Sequence, residues 1–313
     1  MTRAFIFPGQ GAQTIGMGRA LADAYPASKA VFAEVDDALG ESLSSLIWEG
    51  EIEALTLTRN AQPALMATSL AAMAALKAEG VDVTAASFVA GHSLGEYSAL
   101  CAAGTFSLAD TARLLRLRGE AMQAAVPAGE GAMAAVLGLD LAAVEEVAAE
   151  AAQGEVCEAA NDNDPAQVVI SGAKAAVERA CEIAKAKGAK RALLLPVSAP
   201  FHCALMQPAA DAMAQALGEV DMQAPVVPLV GNVLARAESA PAVIRENLVV
   251  QVTGRVRWRE SVAWMAAEGV TEVYEIGAGK ALSGMVKRID RAVTPHAVGT
   301  PDDVSKAVAT LAQ

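Results

Sequence analysis

One serine of this chain has surroundings typical of a nucleophile. Ser93 stands between two glycines in residues 91–95 (GHSLG). The short apolar run 88–90 before it predicts a buried strand, and the residues after it predict a helix. Glycine on both sides lets the backbone reverse within a few residues and presents the serine hydroxyl above the end of the strand. A serine held there can attack a carbonyl group, with the oxyanion at the N-terminus of the helix.

Three histidines could supply the base for this serine. His92 is its direct neighbour, and because successive side chains of a strand point to opposite faces, we expect His92 to face away. His202 lies in a loop bounded by prolines, where a neutral imidazole could be held close to a nucleophile. His296 lies near the C-terminus, where an α/β-hydrolase carries its base. The residues alone favour His202 and leave His296 open.

An arginine on an apolar helix face could bind an anion. Ser107 predicts the N-cap of a helix over residues 108–125. At 100° per residue Arg118 falls on the apolar face of this helix, opposite Arg116. It is either a side chain that reaches the surface from the edge of that face or a buried guanidinium that requires an anion. Its planar fork suits a carboxylate.

The N-terminal segment predicts a strand over residues 4–7 and a glycine-rich turn over 8–13. Gly9 and Gly11 match two glycines of a dinucleotide-binding fingerprint, but Thr14 occupies the third position and no acidic residue follows a second strand. We therefore expect no nicotinamide site. The amides of the turn could instead bind the carbonyl oxygen that Ser93 attacks.

The order of elements after residue 128 predicts a small unit inside a larger α/β domain. Strands are predicted over 132–139, 155–160, 168–171 and 192–197, helices over 141–152 and 174–187, and a turn over 161–165. The order β-α-β-β-α-β is typical of a ferredoxin-like unit. We expect this subdomain over residues 129–197, inserted into an α/β-hydrolase-like domain with a parallel sheet over residues 1–128 and 198–313.

Composition argues against several classes of function. Of 313 residues 54% are hydrophobic, and the net charge of −12 argues against a nucleic-acid partner. The four scattered cysteines contain no C-x-x-C pair, which predicts a reducing compartment and no metal site. We expect neither a signal peptide nor a membrane span, because prolines and a histidine interrupt the uncharged stretch 192–210. A cytoplasmic protein is predicted.

Five spaced motifs together resemble one family. They are residues 7–13 (FPGQGAQ), 91–100 (GHSLGEYSAL), the helix with Arg118, 200–202 (PFH) and 275–280 (EIGAGK). In this order they resemble the malonyl-CoA:acyl carrier protein transacylases of bacterial fatty acid synthesis, from about residue 4 to about residue 290. The fold of that family agrees with an inserted ferredoxin-like unit.

The resemblance implies a ping-pong acyl transfer. Ser93 corresponds to the family's nucleophile, His202 to its base and Arg118 to the arginine that binds the malonyl carboxylate. Malonyl-CoA is then the first substrate, a malonyl-serine ester the intermediate, and the phosphopantetheine thiol of acyl carrier protein the acceptor. No further cofactor is implied, and we expect a monomer.

The resemblance also assigns supporting roles. The backbone amides of Gln10 and Leu94 correspond to the oxyanion hole, and Gln251 to the residue whose carbonyl oxygen orients the histidine. Leu94 and Phe201 are bulky and are predicted to flank the α-carbon of the acyl group, which favours malonyl over methylmalonyl. Cys203 stands where many relatives have serine or threonine, at a position without an assigned chemical role.

Docking of a carrier protein requires a local basic patch, since acyl carrier proteins are acidic and this chain carries −12. The basic residues form two groups, namely Lys185, Lys187, Lys190 and Arg191, and Lys287 and Arg288. Single lysines at helix ends are usually explained by the helix dipole. Because the groups flank the predicted site, we expect Lys190, Arg191, Lys287 and Arg288 to form the landing site.

Two other functions remain open from the residues. An esterase or thioesterase would use Ser93 with His296 and an acid between them in sequence. A non-catalytic subunit that docks a carrier protein would leave the nucleophile turn without a purpose. The sequence does not distinguish a fatty acid from a polyketide pathway.

Overall fold

The computed structural model describes residues 2–311, which form two β-sheets and the helices that cover them. The strands are β1 (Thr2–Phe7), β2 (Phe88–Gly91), β3 (Gly131–Leu137), β4 (Cys157–Asp164), β5 (Gln167–Ala173), β6 (Arg191–Leu194), β7 (Leu229–Val230), β8 (Ala237–Glu238), β9 (Val270–Ile276) and β10 (Thr294–Val298). The fold is mixed α/β.

The helices cover the first sheet and one face of the second. They are α1 (Arg19–Ala24), α2 (Pro26–Leu39), α3 (Leu43–Glu49), α4 (Ile52–Thr56), α5 (Thr58–Ala78), α6 (Gly95–Ala102), α7 (Leu108–Ala124), α8 (Leu141–Ala152), α9 (Lys174–Ala186), α10 (Gln207–Glu219), α11 (Pro241–Thr253), α12 (Trp258–Ala267), α13 (Ala281–Ile289) and α14 (Pro301–Leu311).

The first sheet brings the two glycine-containing turns of the sequence together. Its order is β10-β9-β1-β2-β7-β8, and all neighbours are parallel except β7 and β8. Residues 4–7 of β1 are fully buried, as expected for a central parallel strand with helices on both faces. Phe7 pairs with Gly91 at the carboxyl ends of β1 and β2. The turn after β1 and the Ser93 turn therefore lie at the same edge of the sheet.

The second sheet is antiparallel, in the order β4-β5-β3-β6. Its elements follow along the chain as β3-α8-β4-β5-α9-β6. Alternate apolar residues of the strands, such as Val136 and Ile170, pack against α8 and α9 in a core of their own. This sheet stands beside the carboxyl edge of the first one, so that a cleft forms between the two.

Strand β4 differs from the sequence prediction, because residues 161–165 were predicted as a turn. Instead β4 continues to Asp164. The N–H of Asp162 donates to the backbone oxygen of Val256 at 2.9 Å, and the Asp162 carboxylate is bound by the Arg259 guanidinium at 2.8 Å. These tertiary partners stabilise an extended conformation that Asn and Asp disfavour locally.

Four elements of the C-terminal third were not predicted, namely β8, α11, β10 and α14. Helix α11 carries Gln251, β10 carries His296, and α14 ends the described chain. Among residues 2–311 no helix combines the length and apolarity needed to cross a bilayer. In the same residues no group of three or more His, Cys, Asp or Glu side chains is arranged to hold a metal ion.

Candidate active site

The turn between β2 and α6 holds Ser93 in a left-handed backbone conformation, with φ 54°. The two glycines are needed for close packing. A Cβ on Gly91 would lie 2.0 Å from the backbone of Gly95, and a Cβ on Gly95 would lie 2.2 Å from the Phe7 oxygen. A strained backbone of this kind persists only where its surroundings hold it. Here the N–H of Ser93 donates to Asn232 Oδ1 at 2.8 Å.

His202 contacts the serine hydroxyl. Its Nε2 lies 2.7 Å from Ser93 Oγ, and its Nδ1 lies 2.8 Å from the backbone oxygen of Gln251. Because a carbonyl oxygen only accepts, Nδ1 carries the hydrogen and Nε2 is free to accept the serine proton. Burial, and secondly the charge of Arg118, lower the pKa of His202 to about 3. The imidazole is therefore a neutral base.

The other two histidines do not contact the Ser93 hydroxyl. His92 Nε2 lies 2.8 Å from Asn163 Oδ1, so its ring points away from the hydroxyl, as the alternation along the strand predicts. His296 lies on the edge strand β10, stacked on Tyr274 with ring centroids 4.7 Å apart. All three histidines belong to the described chain, and His202 alone among them reaches the nucleophile.

Arg118 is buried, with 1% of its surface exposed. Its Nη2 donates to Gln251 Oε1 at 2.8 Å and to Ser93 Oγ at 3.2 Å, and its Nη1 donates to Gln62 Oε1 at 2.7 Å. Burial lowers its pKa. No carboxylate among residues 2–311 accepts a hydrogen bond directly from this guanidinium. A cation with only neutral acceptors beside a nucleophile is suited to an acyl group that carries its own carboxylate.

The residues surround a cavity of about 540 Å³ between the two sheets. The turn after β1 contributes Gln10, whose side-chain oxygen accepts from Thr58 Oγ1 at 2.8 Å. Leu94 lines the cavity directly before α6, and Phe201 lines it directly before His202. The structure thus brings to one cavity the nucleophile, the base, the arginine and the two amide-bearing positions expected from the sequence.

The residues of this site lie within the part of the chain that matches a known family. The family model described as “Acyl transferase domain” matches residues 4–298. The chain belongs to the acyl transferase family. The chain is 49% identical over 309 residues to the malonyl CoA-acyl carrier protein transacylase of Bacillus subtilis, covering 98% of this chain and 96% of the relative. Its identity to the Escherichia coli (strain K12) protein of that name is 48% over 305 residues, covering 97% and 98%.

Solved structures show the same fold. The acyl-carrier-protein-S-malonyltransferase from Bartonella henselae superimposes with a TM-score of 0.98 at 57% identity, covering 100% of both chains. A malonyl-transacylase in complex with its type II PKS acyl-carrier protein gives a TM-score of 0.96 at 44% identity, covering 99% of this chain and 100% of that one.

Two of the basic residues of this acyl transferase are neutralised within its small unit. Lys185 Nζ lies 2.8 Å from Glu182, and Lys187 Nζ lies 2.9 Å from Glu150. The first pair joins residues three apart on α9 and the second joins the end of α9 to α8, so a structural role within the small unit explains both.

The remaining basic residues differ in their partners. Arg288, on α13, lies 2.7 Å from Asp164 on β4 and joins this helix to the second sheet of the acyl transferase. Lys190, Arg191 and Lys287 are exposed, and none of them forms an ion pair within residues 2–311. These three remain available to an acidic partner.

Sequence reasoning missed several residues of the site, among them Gln62, which accepts from Arg118 Nη1, and also Asn232 and Glu96. Asn232 accepts from Ser93 N and donates to Gly91 O at 2.6 Å, which clasps the nucleophile turn. Glu96 is 1% exposed, although it lies within the serine motif. No local pattern marks Asn232 in its loop. Glu96 could have been noticed as the one charged residue of an otherwise uncharged helix.

Proposed function

We propose that this acyl transferase moves the malonyl group from malonyl-CoA to the phosphopantetheine thiol of acyl carrier protein, supplying fatty acid synthesis. One observation carries the proposal, namely that Ser93 Oγ lies 2.7 Å from His202 Nε2 and 3.2 Å from Arg118 Nη2. The proposed base and the proposed carboxylate-binding cation therefore both contact Ser93 Oγ, the proposed nucleophile. The names of relatives about half identical over nearly their full length support these substrates.

In the first half-reaction His202 Nε2 takes the Ser93 proton while Oγ attacks the thioester carbonyl. The backbone amides of Gln10 and Leu94 stabilise the oxyanion. When the tetrahedral intermediate collapses, the carbon–sulfur bond breaks and the proton on His202 passes to the sulfur of CoA. The product is a malonyl-serine ester.

In the second half-reaction the same groups work in reverse. His202 takes the proton of the carrier's thiol, the thiolate attacks the ester carbonyl, and the proton then returns to Ser93 Oγ. Throughout, the carbonyl oxygen of Gln251 holds the imidazole through Nδ1–H. In the first half-reaction a neutral oxygen suffices in this position because the thiolate of CoA is a good leaving group; in the second the ester C–O bond breaks and His202 returns the proton to the departing Ser93 Oγ.

Acyl selection follows from the groups around the hydroxyl. The malonyl carboxylate pairs with Arg118, which then gains a directly hydrogen-bonded carboxylate that residues 2–311 do not supply. Leu94 and Phe201 flank the α-carbon and disfavour a methyl branch such as that of methylmalonyl.

We place the carrier on Lys190, Arg191 and Lys287, with a smaller contribution from Arg288, whose charge Asp164 partly offsets. We also propose that the chain is a monomer, since every residue of the site comes from one chain. A cytoplasmic location is supported by the cysteines, all four of which are free.

We propose the finer description of the fold on the same basis. The mainly parallel sheet with its strand-turn-helix serine supports an α/β-hydrolase-like domain over residues 1–128 and 198–313. The element order and the strand order β4-β5-β3-β6 support a ferredoxin-like subdomain over residues 129–197.

Intact-protein mass spectrometry after mixing with malonyl-CoA, without carrier, tests the function. We expect a malonyl adduct on Ser93 that disappears when carrier protein is added. The adduct should be absent in Ser93→Ala and nearly absent in His202→Ala, and it should persist in the control His296→Ala. Rapid release of free malonate without carrier, or dependence on His296, would instead identify a hydrolase.

A further inference from the structure

Glu96 is a buried carboxyl group that the reaction steps above do not use. It lies in the first turn of α6, three residues after the nucleophile, and is 1% exposed. A carboxylate is rarely buried so completely unless hydrogen bonds or charges hold it. Its partners therefore indicate what it does.

Both hydrogen-bond partners of Glu96 hold the backbone of Ser93. Glu96 Oε2 accepts from Gln251 Nε2 at 2.8 Å and from the N–H of Asn232 at 3.1 Å. Gln251 Nε2 also donates to the carbonyl oxygen of Ser93 at 3.0 Å, and Asn232 Oδ1 accepts from the backbone N–H of Ser93 at 2.8 Å. The left-handed backbone of the nucleophile is thus held on both sides by groups that share one carboxylate oxygen.

Glu96 also determines which way the Gln251 amide points. A carboxylate only accepts, so it pairs with Nε2 of Gln251 and leaves Oε1 to accept from Arg118 Nη2 at 2.8 Å. The reverse orientation would place the amide NH₂ against the guanidinium and an oxygen against the carboxylate. The orientation of Arg118 toward Ser93 therefore depends on Glu96 through Gln251.

The charge of Glu96 is poised to change near neutral pH. Burial raises the pKa of Glu96 to about 7, against the opposing effects of its hydrogen bonds with Gln251 and Asn232 and of the Arg118 charge. Helix α6 packs against β1, β2, α5 and α7, and of these elements α7 contributes the charged group that acts on the carboxyl, Arg118. Tyr97, on α6 itself, is the neighbouring titratable side chain, and its pKa is raised above its usual value.

We propose that Glu96 is a positioning residue of this active site, whose ionised carboxylate holds Asn232 and Gln251 and, through them, Ser93 and Arg118. The proposal rests on the proposed malonyl transfer and adds a residue and a pH dependence to it. Because the ionised form is the active one, acylation is fast above the pKa of Glu96 and falls as the pH drops through it. The pKa of His202, at about 3, lies too low to produce this decline.

The test is the pH profile of kcat/KM for acylation by malonyl-CoA in wild type and in Glu96→Gln, which imitates the protonated group. Wild type should show an acid limb with its midpoint near 7. For Glu96→Gln, kcat/KM should not change with pH over this range. It should equal the value that wild type reaches at acid pH, roughly tenfold below the wild-type plateau, and the loss should be mainly in kcat. Glu275→Gln is the control, because Glu275 is equally buried but caps α13. It should lower Tm and leave the limb in place.

A Glu96→Gln protein with the wild-type plateau and an unchanged acid limb would overturn the proposal. If that variant does not fold, the pH profile of wild type tests the proposal by itself. A value of kcat/KM that is constant between pH 5.5 and 8, with constant circular dichroism, would exclude the positioning role of Glu96. Inactivation of Ser93 by a small uncharged sulfonyl fluoride separates this proposal from malonyl transfer. The difference between wild type and Glu96→Gln persists with that reagent even if malonyl-CoA is not the substrate.

Discussion

The charge of Arg118 weakens His202 as a base as long as no substrate carboxylate is bound. Burial lowers the pKa of the imidazole, and the charge of the guanidinium lowers it further. A malonyl carboxylate paired with Arg118 would cancel that charge and raise the pKa of His202, which makes the base stronger when the correct acyl group is bound. An acetyl group would leave Arg118 without a hydrogen-bonded carboxylate.

The first prediction concerns this pairing. Arg118→Ala removes charge-assisted hydrogen bonds worth roughly 1.5–3 kcal/mol each, so kcat/KM for malonyl transfer should fall at least tenfold. Acetyl transfer should be spared or should rise, because an acetyl group has no carboxylate to bind Arg118 and the charge that lowers the pKa of His202 is gone. Arg113→Ala, on the exposed side of the same helix, is the control and should leave both rates unchanged. Equal loss for both acyl groups would return Arg118 to a structural role.

At the scale of elements, the approach of α6 to β1 is limited by the backbone. A Cβ on Gly95 would meet the carbonyl oxygens of Phe7 and Pro8 at 2.2 and 2.8 Å. Neither is the end of a flexible side chain, so relief requires that the turn after β1 move away from the serine turn. That movement would separate Gln10 from the oxyanion it is proposed to bind.

Gly95→Ala should therefore lose stability by about 1–3 kcal/mol and lose most of the acylation of Ser93 even where it remains folded. Gly218→Ala is the matched control, since a Cβ at this position of α10 meets nothing within 4 Å. It should raise stability by about 0.4–1 kcal/mol. Urea denaturation and the rate of ester formation measure both effects. Normal acylation in Gly95→Ala would show that the two turns need not approach so closely.

Local signals predicted some elements well and failed where tertiary partners decide. Helix α8 has the predicted bounds, and Ser107 caps α7 by accepting from Asp110 N. Residues 161–164 were misread because Asn and Asp favour turns, whereas Val256 and Arg259 hold them in a strand. Helix α11 has no polar N-cap side chain and little amphipathic periodicity, so Pro241 at its first position was the main local signal for it.

In the candidate site, too, local sequence predicts some residues and fails for those that depend on tertiary contacts. The Ser93 turn can be recognised from five consecutive residues because its requirements are local. The choice between His202 and His296 depends on which loop folds over the serine, and the residues alone left it open. Asn232 contacts the turn across 139 positions of sequence, a distance that no local pattern spans. Gln251 became a candidate only through the family resemblance.

At the scale of the whole molecule, the second sheet is held to the first through its edge strand β4. Arg259 binds Asp162, Arg288 binds Asp164, and both aspartates are about 1% exposed or less. Backbone hydrogen bonds with Val256 cover the strand edge. These contacts fix the two walls of the cavity relative to each other. They also pair Arg288 with Asp164. We therefore propose that carrier docking depends mainly on Lys190, Arg191 and Lys287, which form no ion pair within residues 2–311.

Lys190 and Arg191 test that inference, because two acidic proteins repel at long range and associate productively only where the local charge is reversed. Lys190→Glu with Arg191→Glu should raise KM for the carrier and weaken its salt dependence. Ester formation from malonyl-CoA should change little, since that half-reaction does not involve the carrier. The matched control is Lys185→Glu with Lys187→Glu, an equal change of charge at residues already paired with Glu182 and Glu150. Its carrier KM should stay near wild type. If both double variants behave alike, net charge governs the encounter; if the first slows both half-reactions equally, the landing site lies elsewhere.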